Sequence, residues 1–248
     1  MADDLRAMLE EIKNKALQKQ KEQNGQMKPA DGTEPDGGED DWYKRREKQE
    51  RIRELENAGI MKRYRNVTFE NIEKRGLPDN EDIRKNYEVV KEYATRNLEW
   101  NLEHGFGLIL AGNYGTMKTT MAVAVLQQWI KDGHSGLLVP MCSLIDNLYT
   151  MRSLNREEWA KYEMRIRSTP LLIIDDLGSE NTDQSWVLSK VDSIITERYN
   201  KMLPIIVTTN LSKGELEGTY SGRIMDRLRN ISQYLVFNSE SQRRTLAS

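Results

Sequence analysis

The stretch Phe106-Gly-Leu-Ile-Leu-Ala-Gly-Asn-Tyr-Gly-Thr-Met-Lys-Thr119 decides the fold of this chain. Its apolar first half predicts a buried β-strand over 106–111, and a helical pattern begins at its closing Lys-Thr pair. A strand, a glycine-containing loop, Lys-Thr and a helix form the P-loop arrangement, in which backbone N–H groups surround a polyphosphate. The stretch therefore predicts a phosphate-binding loop at the end of a strand.

The residues of this loop have separate predicted roles. Lys118 is expected to reach the β- and γ-phosphates, and the Thr119 hydroxyl to ligate a metal ion, so the expected cofactors are ATP and Mg²⁺. The predicted nucleotide-binding residues are Gly112, Asn113, Tyr114, Gly115, Thr116, Met117, Lys118, Thr119 and Thr120. On this motif alone, an ordinary strand–turn–helix with an exposed lysine stays open as the alternative.

Met117 departs from the P-loop pattern, which has glycine directly before the lysine. A side chain at this position can crowd the phosphates, or it can strain a backbone that only glycine adopts freely. We therefore expect ATP hydrolysis to be slow.

A second motif, Leu171-Leu-Ile-Ile-Asp-Asp176, is an apolar strand that ends in two acids. Two carboxylates at the end of a buried strand are costly unless they hold a cation or activate water. In a parallel sheet, that end is where ligands bind. Asp175 is therefore expected to associate with Mg²⁺ and Asp176 to polarise the attacking water. The alternative is that both acids cap the next helix.

A third motif, Ile205-Ile-Val-Thr-Thr-Asn210, is another apolar strand with a polar end. The Asn210 amide is predicted to orient the lytic water or to sense the γ-phosphate. It can also serve as the N-cap of a following helix, and the two roles are compatible.

Arginines follow this third strand. Arg223 and Arg227 are four residues apart, so they share one helical face, and Arg229, Arg243 and Arg244 come later. An arginine supplied to a γ-phosphate, in cis or from a neighbouring subunit, stabilises the charge of the transition state. For each arginine taken alone, a solvated or salt-bridged role is the alternative.

Five short apolar runs alternate with helical segments after residue 60. The runs cover 106–111, 136–140, 171–174, 205–208 and 234–237, and one long helix is predicted over 79–104. Continuously apolar strands that alternate with helices indicate a parallel sheet covered on both faces. The predicted fold class is therefore α/β, with a five-stranded parallel sheet between helices.

The N-terminal part has a different composition. Residues 1–23 predict a helix whose narrow apolar stripe, Leu5, Met8, Leu9, Ile12 and Ala16, either packs on its own domain or docks a partner. Residues 24–42 predict a flexible acidic linker, with an ordered Ω-loop as the alternative. Residues 43–75 predict a helical connector, whose interleaved acids favour a solvated face over a nucleic-acid contact, and 76–248 the ATPase domain.

Composition excludes several classes of protein. The 248 residues are 38% hydrophobic and 31% charged, and none of their apolar runs reaches the ~18 residues of a membrane span. The N-terminus lacks the pattern of a secretory signal. One cysteine, Cys142, permits neither an internal disulfide nor a cysteine-rich zinc site. The expectation is a soluble cytoplasmic protein with no membrane partner.

The motifs together resemble the DnaC/DnaI/IstB group of AAA+ ATPases, the helicase loaders and transposition helpers of bacteria and phages. The resemblance covers about residues 58–244, and it also rests on Ala58–Asn71, Gly222–Leu228 and Phe237–Arg243. It implies that Lys118 and Thr119 are the Walker A pair and that Asp175 and Asp176 are the Walker B pair. It further implies sensor roles for Asn210 and Arg243, and an arginine finger at Arg227, with Arg223 as a second candidate.

The resemblance implies an ATP-dependent loader of the hexameric replicative helicase onto single-stranded DNA, which self-associates through its ATPase domain. Two alternatives stay open: an IstB-like helper of a DNA transposase, and an adaptor that binds nucleotide without hydrolysing it. The apolar stripe in residues 1–23 favours the loader, because a tethered helix can dock on a helicase.

Overall fold

The computed structural model describes residues 38–179, 185–239 and 241–242. In chain order the elements are α1 (Gly38–Asn57), a 3₁₀ turn (Lys62–Tyr64), α2 (Phe69–Arg75), α3 (Glu81–Thr95), α4 (Leu98–His104), β1 (Gly107–Gly112), α5 (Lys118–Lys131), β2 (Gly136–Pro140), α6 (Met141–Leu154), α7 (Arg156–Ser168), β3 (Leu171–Leu177), α8 (Ser185–Asn200), β4 (Ile205–Thr209), α9 (Lys213–Thr219), α10 (Gly222–Asn230) and β5 (Ser232–Phe237). The chain divides into two compact units, residues 1–50 and 51–248.

In the described part of the chain, five strands form one sheet in the order β2-β3-β4-β1-β5, and every pair of neighbours is parallel. The predicted five-stranded parallel sheet is therefore confirmed. Strand β1 lies between β4 and β5, with Ile109 beside Val207 on one side and Tyr234 on the other. The loop that follows β1 consequently opens at the carboxyl edge, where the ends of β3 and β4 also lie.

Each face of the sheet has its own hydrophobic core, because successive side chains of a strand point to opposite faces. Leu108 and Leu110 of β1 pack with α2, α3 and α5, whereas Ile109 packs with α6, α8, α9 and α10. The central strands are buried on both faces, which explains their uninterrupted apolar sequences.

The segment before β1 belongs to the core of the second unit from residue 51 onward. Leu55, Ala58 and Ile60 are buried in the same cluster as α5. The Leu138 N–H of β2 donates to the Ala58 carbonyl at 2.8 Å, so this segment covers the edge of the sheet. Residues 51–75, predicted as a connector, thus complete the fold around the sheet.

The predicted linker over 24–42 is wrong at its C-terminal end, because helix α1 begins at Gly38. The acidic sequence at 39–41 suits the positive end of a helix dipole, which favours a helix start there. Residues 24–37 of the predicted linker, and the predicted helix over 1–23, lie outside the described residues.

The long helix predicted over 79–104 is also wrong, since α3 ends at Thr95 and α4 starts at Leu98. The buried Asn101 amide donates to the Tyr93 carbonyl at 2.9 Å. That carbonyl belongs to the last turn of α3, where helical partners are lacking, so Asn101 stabilises the break. None of the helices in the described ranges is long and apolar enough to cross a membrane.

Candidate functional site

The loop between β1 and α5 has the backbone of a phosphate-binding loop. Gly112, Gly115 and Met117 have φ values of 145°, 77° and 73°. A Cβ at Gly115 would collide with Ser241, and the Gln242 N–H donates to the Gly115 carbonyl at 2.8 Å. Glycine at 115 therefore meets two demands, a left-handed backbone and close approach of the C-terminal segment.

Lys118 begins α5 with its ammonium group folded onto the loop. Nζ donates to the carbonyls of Gly112 at 2.8 Å and Asn113 at 2.6 Å, and to Asn210 Oδ1 at 3.0 Å. The residue as a whole is only 7% exposed. These carbonyls hold the lysine beside the loop, and the predicted alternative of an exposed lysine is wrong.

The two acids of β3 lie at a break in the ladder between β3 and β4. The Cα register is irregular between Ile174 and Leu177, and Asp176 has a φ of 62°. Asp175 Oδ1 accepts from Thr119 Oγ1 at 2.8 Å and from Thr208 Oγ1 at 2.6 Å. The predicted metal-binding pair, Thr119 and Asp175, is thus in direct contact.

Thr208 is a residue whose role the motifs did not predict. Its hydroxyl donates to Asp175 and accepts from the Asp176 backbone N–H at 2.8 Å. It therefore occupies the gap that the ladder irregularity opens and orients both acids. The sequence contained a signal, a buried polar residue near the end of an apolar strand, which needs a partner there.

Asn210 connects the lysine to the second acid. Its Nδ2 donates to Asp176 Oδ1, while its Oδ1 accepts from Lys118. The alternative role as a helix N-cap is wrong, because Ser212 caps α9 in a capping box with Glu215. The whole side-chain amide of Asn210 therefore faces the phosphate-binding loop.

A cavity of about 240 Å³ lies between the loop, the acids and the 3₁₀ turn. Its lining contains seven of the predicted nucleotide-binding residues, together with Asp175, Asp176 and Asn210. Those seven are Tyr114, Gly115, Thr116, Met117, Lys118, Thr119 and Thr120. Gly112 and Asn113 contact the Lys118 ammonium from outside this lining.

Arg63 and Tyr64 form a further wall of the cavity that the motifs did not predict. The Arg63 guanidinium lies 5.2 Å from the centre of the Tyr64 ring. Buried Gln127 of α5 donates to the carbonyls of Tyr64 and Arg65 at 3.0 and 3.1 Å. The helix that carries Lys118 therefore also holds this planar wall in place.

The donors around the cavity fit a nucleotide with Mg²⁺. A threonine hydroxyl and a carboxylate are hard oxygen ligands, and Mg²⁺ is usually held by one or two carboxylates and by substrate phosphates. Within the ranges that the structure describes, no group of three or more His, Cys, Asp and Glu residues forms a protein cage for a metal. The buried ammonium of Lys118 supplies the positive charge that phosphate oxygens require.

Of the predicted arginines, Arg223 and Arg227 lie outside the lining of the cavity. Arg227, 22% exposed, donates from Nη1 to Asp192 Oδ1 at 3.1 Å and to Thr196 Oγ1 at 2.7 Å, both on α8. Arg223 is 68% exposed and pairs with the other Asp192 oxygen at 3.1 Å. Neither lines the cavity of their own chain. Arg243 and Arg244 lie outside the described residues, directly after Gln242, which lines the cavity.

The family model of the IstB-like ATP binding proteins matches residues 45–248. The replicative helicase loader DnaI of Bacillus subtilis (strain 168) is 26% identical over 152 residues, and the matched region covers 56% of this chain but 48% of DnaI. The replicative helicase loader DnaC of Escherichia coli (strain K12) is 24% identical over 195 residues, which cover 77% of this chain and 75% of DnaC.

Solved structures show the same architecture. The crystal structure of the DnaC helicase loader superposes with a TM-score of 0.64 at 26% identity, over 72% of this chain and 100% of the other. The initiator DnaA bound to AMPPCP and single-stranded DNA superposes with a TM-score of 0.57 at 19% identity, over 71% of this chain and 51% of the other, a likeness of fold. The predicted resemblance is confirmed: the chain belongs to the IstB-like ATP binding protein family, in the DnaC/DnaI/IstB group of AAA+ ATPases.

Proposed function

We propose that this protein hydrolyses ATP and loads a hexameric replicative helicase onto single-stranded DNA. The observation that carries the proposal is the contact chain from Lys118 through Asn210 to Asp176, beside the Thr119–Asp175 pair. These contacts link the phosphate-binding Lys118 to Asp176, the acid that this proposal places next to the attacking water. The relatives DnaI and DnaC are named as replicative helicase loaders, which supports helicase loading as the process that ATP hydrolysis drives.

The residues of the site divide the chemistry among themselves. Loop N–H groups and Lys118 bind the phosphates, and the loop carbonyls that hold Lys118 keep its ammonium near them. Thr119 and Asp175 would hold Mg²⁺, which supplies charge neutralisation at the phosphates. Asp176 takes a proton from the attacking water or orients it, and the Asn210 amide keeps its carboxylate in place.

Arg63 and Tyr64 complete the nucleotide site in this proposal. The nucleobase lies against their planar groups, since a ring and a guanidinium both stack on the face of a base. Gln127 lies on the helix that begins with Lys118 and holds the Tyr64 backbone. The wall that binds the base therefore keeps a fixed position relative to the lysine that binds the phosphates.

Assembly in this proposal uses an arginine from a neighbouring subunit. Arg227, or the more exposed Arg223, reaches the ATP of the neighbour, and Arg243 acts on the ATP of its own chain. Self-association then completes each ATP site, as P-loop enzymes with an arginine in trans require. The residues 1–23 dock on the helicase, and the ATPase domains contact the DNA.

The second candidate is a helper of a DNA transposase, the role that the resemblance to IstB implies, and the family model that matches residues 45–248 is that of the IstB-like ATP binding proteins. The two functions differ in the partner captured. A pull-down with the purified replicative helicase and, in parallel, with a purified IS21-type transposase separates them. Capture of the transposase and not of the helicase would replace the loader proposal.

The apolar stripe of residues 1–23 provides a variant for the capture experiment. The double substitution Leu9→Asp and Ile12→Asp should abolish helicase capture, because each large apolar side chain buried at an interface contributes about 1.5–3 kcal/mol. The control is Asn14→Asp with Gln18→Asp, which adds the same charge on the opposite side of the predicted helix. If the stripe instead packs on its own domain, the first variant lowers the melting temperature and helicase capture survives.

A further inference from the structure

A second cavity, here named the β5 cavity, lies on the face of the sheet that α9 and α10 cover. Its volume is about 170 Å³, and Ile109, Met225 and Tyr234 form its apolar part. Lys213, Arg229 and Ser232 supply its polar groups. The nucleotide cavity and the β5 cavity share none of their lining residues.

The cavity exists because the helices cover the edge strand β5 incompletely. Ser232, Tyr234 and Val236 occupy every second position of β5, so their side chains share the face toward α9 and α10. Val236 is 41% exposed on this face. Helices α9 and α10 have only 7 and 9 residues, so an opening remains beside β5.

Ser232 carries the strongest indication of a ligand. The residue is 9% exposed, and its Oγ has no hydrogen-bond partner among the residues that the structure describes. A buried hydroxyl without a partner destabilises the folded state, because it has lost its hydrogen bonds to water. A ligand that accepts or donates one hydrogen bond in this cavity removes that destabilisation.

The charges at the cavity favour an anionic ligand. Lys213 and Arg229 are cationic, and Glu217 neutralises part of the Arg229 charge through an ion pair. The cavity is smaller than the roughly 300–1,000 Å³ of sites that bury whole drug-sized ligands. It suits one planar ring, with the charged group of the ligand outside at the two cations.

We propose that the β5 cavity binds one nucleotide unit. The base lies against Tyr234 and Met225 and makes a hydrogen bond with Ser232 Oγ, and the phosphate contacts Lys213 and Arg229. The unit comes either from single-stranded DNA, in which case the inference rests on the proposed loading function, or from a free mononucleotide.

Two variants of the full-length protein test this assignment. Ser232→Ala removes only the unpartnered hydroxyl, so the melting temperature stays equal or rises, while affinity for the ligand falls by about 3- to 10-fold. Lys213→Gln removes one phosphate contact and lowers the slope of log affinity against log salt by about 0.7 for a single strand. Lys85→Gln, an exposed lysine on α3, is the control.

The probes are fluorescein-labelled oligothymidylate of thirty nucleotides, followed by anisotropy, and dTMP, followed by calorimetry. Both titrations are done with saturating ADP and Mg²⁺, which occupy the P-loop site. Weaker oligothymidylate binding by both variants supports the single-stranded DNA source, and weaker dTMP binding supports the free nucleotide.

Parent-like affinity of both variants for both probes would overturn the β5 site while leaving the loader proposal intact, provided that the parent binds the oligothymidylate. A parent that binds neither probe would also overturn the site, and it would count separately against DNA binding in the proposed function.

Discussion

Two residues beside the nucleotide cavity have left-handed backbones without being glycine. Met117 has a φ of 73° and Asp176 a φ of 62°. Such conformations cost a non-glycine residue of the order of 1–3 kcal/mol, and they concentrate at functional sites. At Met117 the side chain packs partly on the core next to α5, and at Asp176 the Thr208 hydroxyl holds the backbone N–H.

Substitution of Lys118 should weaken nucleotide binding, whereas substitution of Asp176 should slow hydrolysis. Lys118→Ala should reduce ATP·Mg²⁺ affinity by at least 100-fold, since it removes the buried ammonium, whereas Lys131→Ala at the exposed end of the same helix should not. Asp176→Asn should keep the affinity and slow hydrolysis, because asparagine tolerates the left-handed backbone but lacks the charge. Equilibrium binding and phosphate release measure the two effects. Parent-like affinity of Lys118→Ala would contradict the P-loop assignment.

Substitution of Met117 separates crowding from strain. Met117→Gly removes the side chain and relaxes the backbone, so turnover should rise while the melting temperature changes by only a few degrees. Met117→Ala removes most of the side chain but keeps the Cβ at positive φ. A gain with both variants indicates crowding of the phosphates, and a gain with glycine alone indicates strain. Equal or lower turnover of both variants would show that the loop is adapted to methionine.

At the scale of elements, helices α7 and α8 are joined by an internal charge network. Glu163 accepts from Arg167 at 2.7 Å and from Lys190 at 3.0 Å, and Arg167 also bonds Glu197 at 2.6 Å. Glu163 and Arg167 are 13% and 14% exposed, so solvent screens their attraction only weakly. Burial by itself raises the pKa of Glu163, but the two cations outweigh it and lower that pKa below 4.5.

This network predicts a pH-dependent contribution to stability. Because the pKa of Glu163 is lower in the folded state, its stabilisation is present above about pH 4.5 and disappears as the pH falls through the folded pKa. Glu163→Gln should therefore lower the free energy of unfolding by about 1–3 kcal/mol at pH 7, and by less at pH 3.5. Urea unfolding at both pH values measures this. Glu157→Gln, an exposed pair with Lys161 on the same helix, is the control and should change little. A difference that does not shrink in acid would contradict the assignment.

Arg198 of α8 joins the same helices to the sheet. Its guanidinium is fully buried and donates to the carbonyls of Ile166, Thr169, Pro170 and Pro204. Burial lowers the pKa of Arg198 to about 9, which still leaves it charged at pH 7. The carbonyls come from the end of α7 and from the residues before β3 and β4, so one side chain sets where both strands begin.

At the scale of the whole molecule, the proposed assembly of several subunits depends on the arginines of α10. Arg227 is bound by Asp192 and Thr196 of its own chain, and Arg223 stands further out on the same aspartate. An arginine finger that acts in trans has to reach the γ-phosphate of the ATP bound to a neighbouring subunit. Both arginines contact Asp192 from the same face of α10, but Arg223 is 68% exposed and Arg227 only 22%.

Mixing of variants tests the trans role. Arg227→Ala alone should bind ATP normally while its ATPase activity and nucleotide-dependent assembly fall. Mixed with Lys118→Ala, it should regain part of the activity, because an intact loop can meet an intact arginine at one interface. Arg223→Ala in the same mixtures shows which arginine acts. Absence of recovery at every ratio, for both arginines, would contradict a trans-acting finger in α10; the melting temperature of Arg227→Ala controls for its lost contacts with α8.

The sequence by itself determined the P-loop, the parallel sheet and the placement of the two acids. Each of these follows from local patterns: apolar runs of strand length, the spacing of glycine, lysine and threonine, and acids at the end of a buried strand. A parallel sheet brings the carboxyl ends of its strands to one edge, so local patterns on separate strands were enough to predict a shared site.

The tertiary structure alone decided which side chains meet. Thr208, Arg63 and Tyr64 entered the nucleotide site through strand register and through the contact of Gln127 with the 3₁₀ turn, across 62 and 63 residues of sequence. Likewise, Asn210 contacts Lys118, while Ser212 supplies the helix cap that was the alternative role of the asparagine. Such pairings depend on long-range packing, which no local periodicity encodes, and the same holds for the Asp192 that binds Arg227.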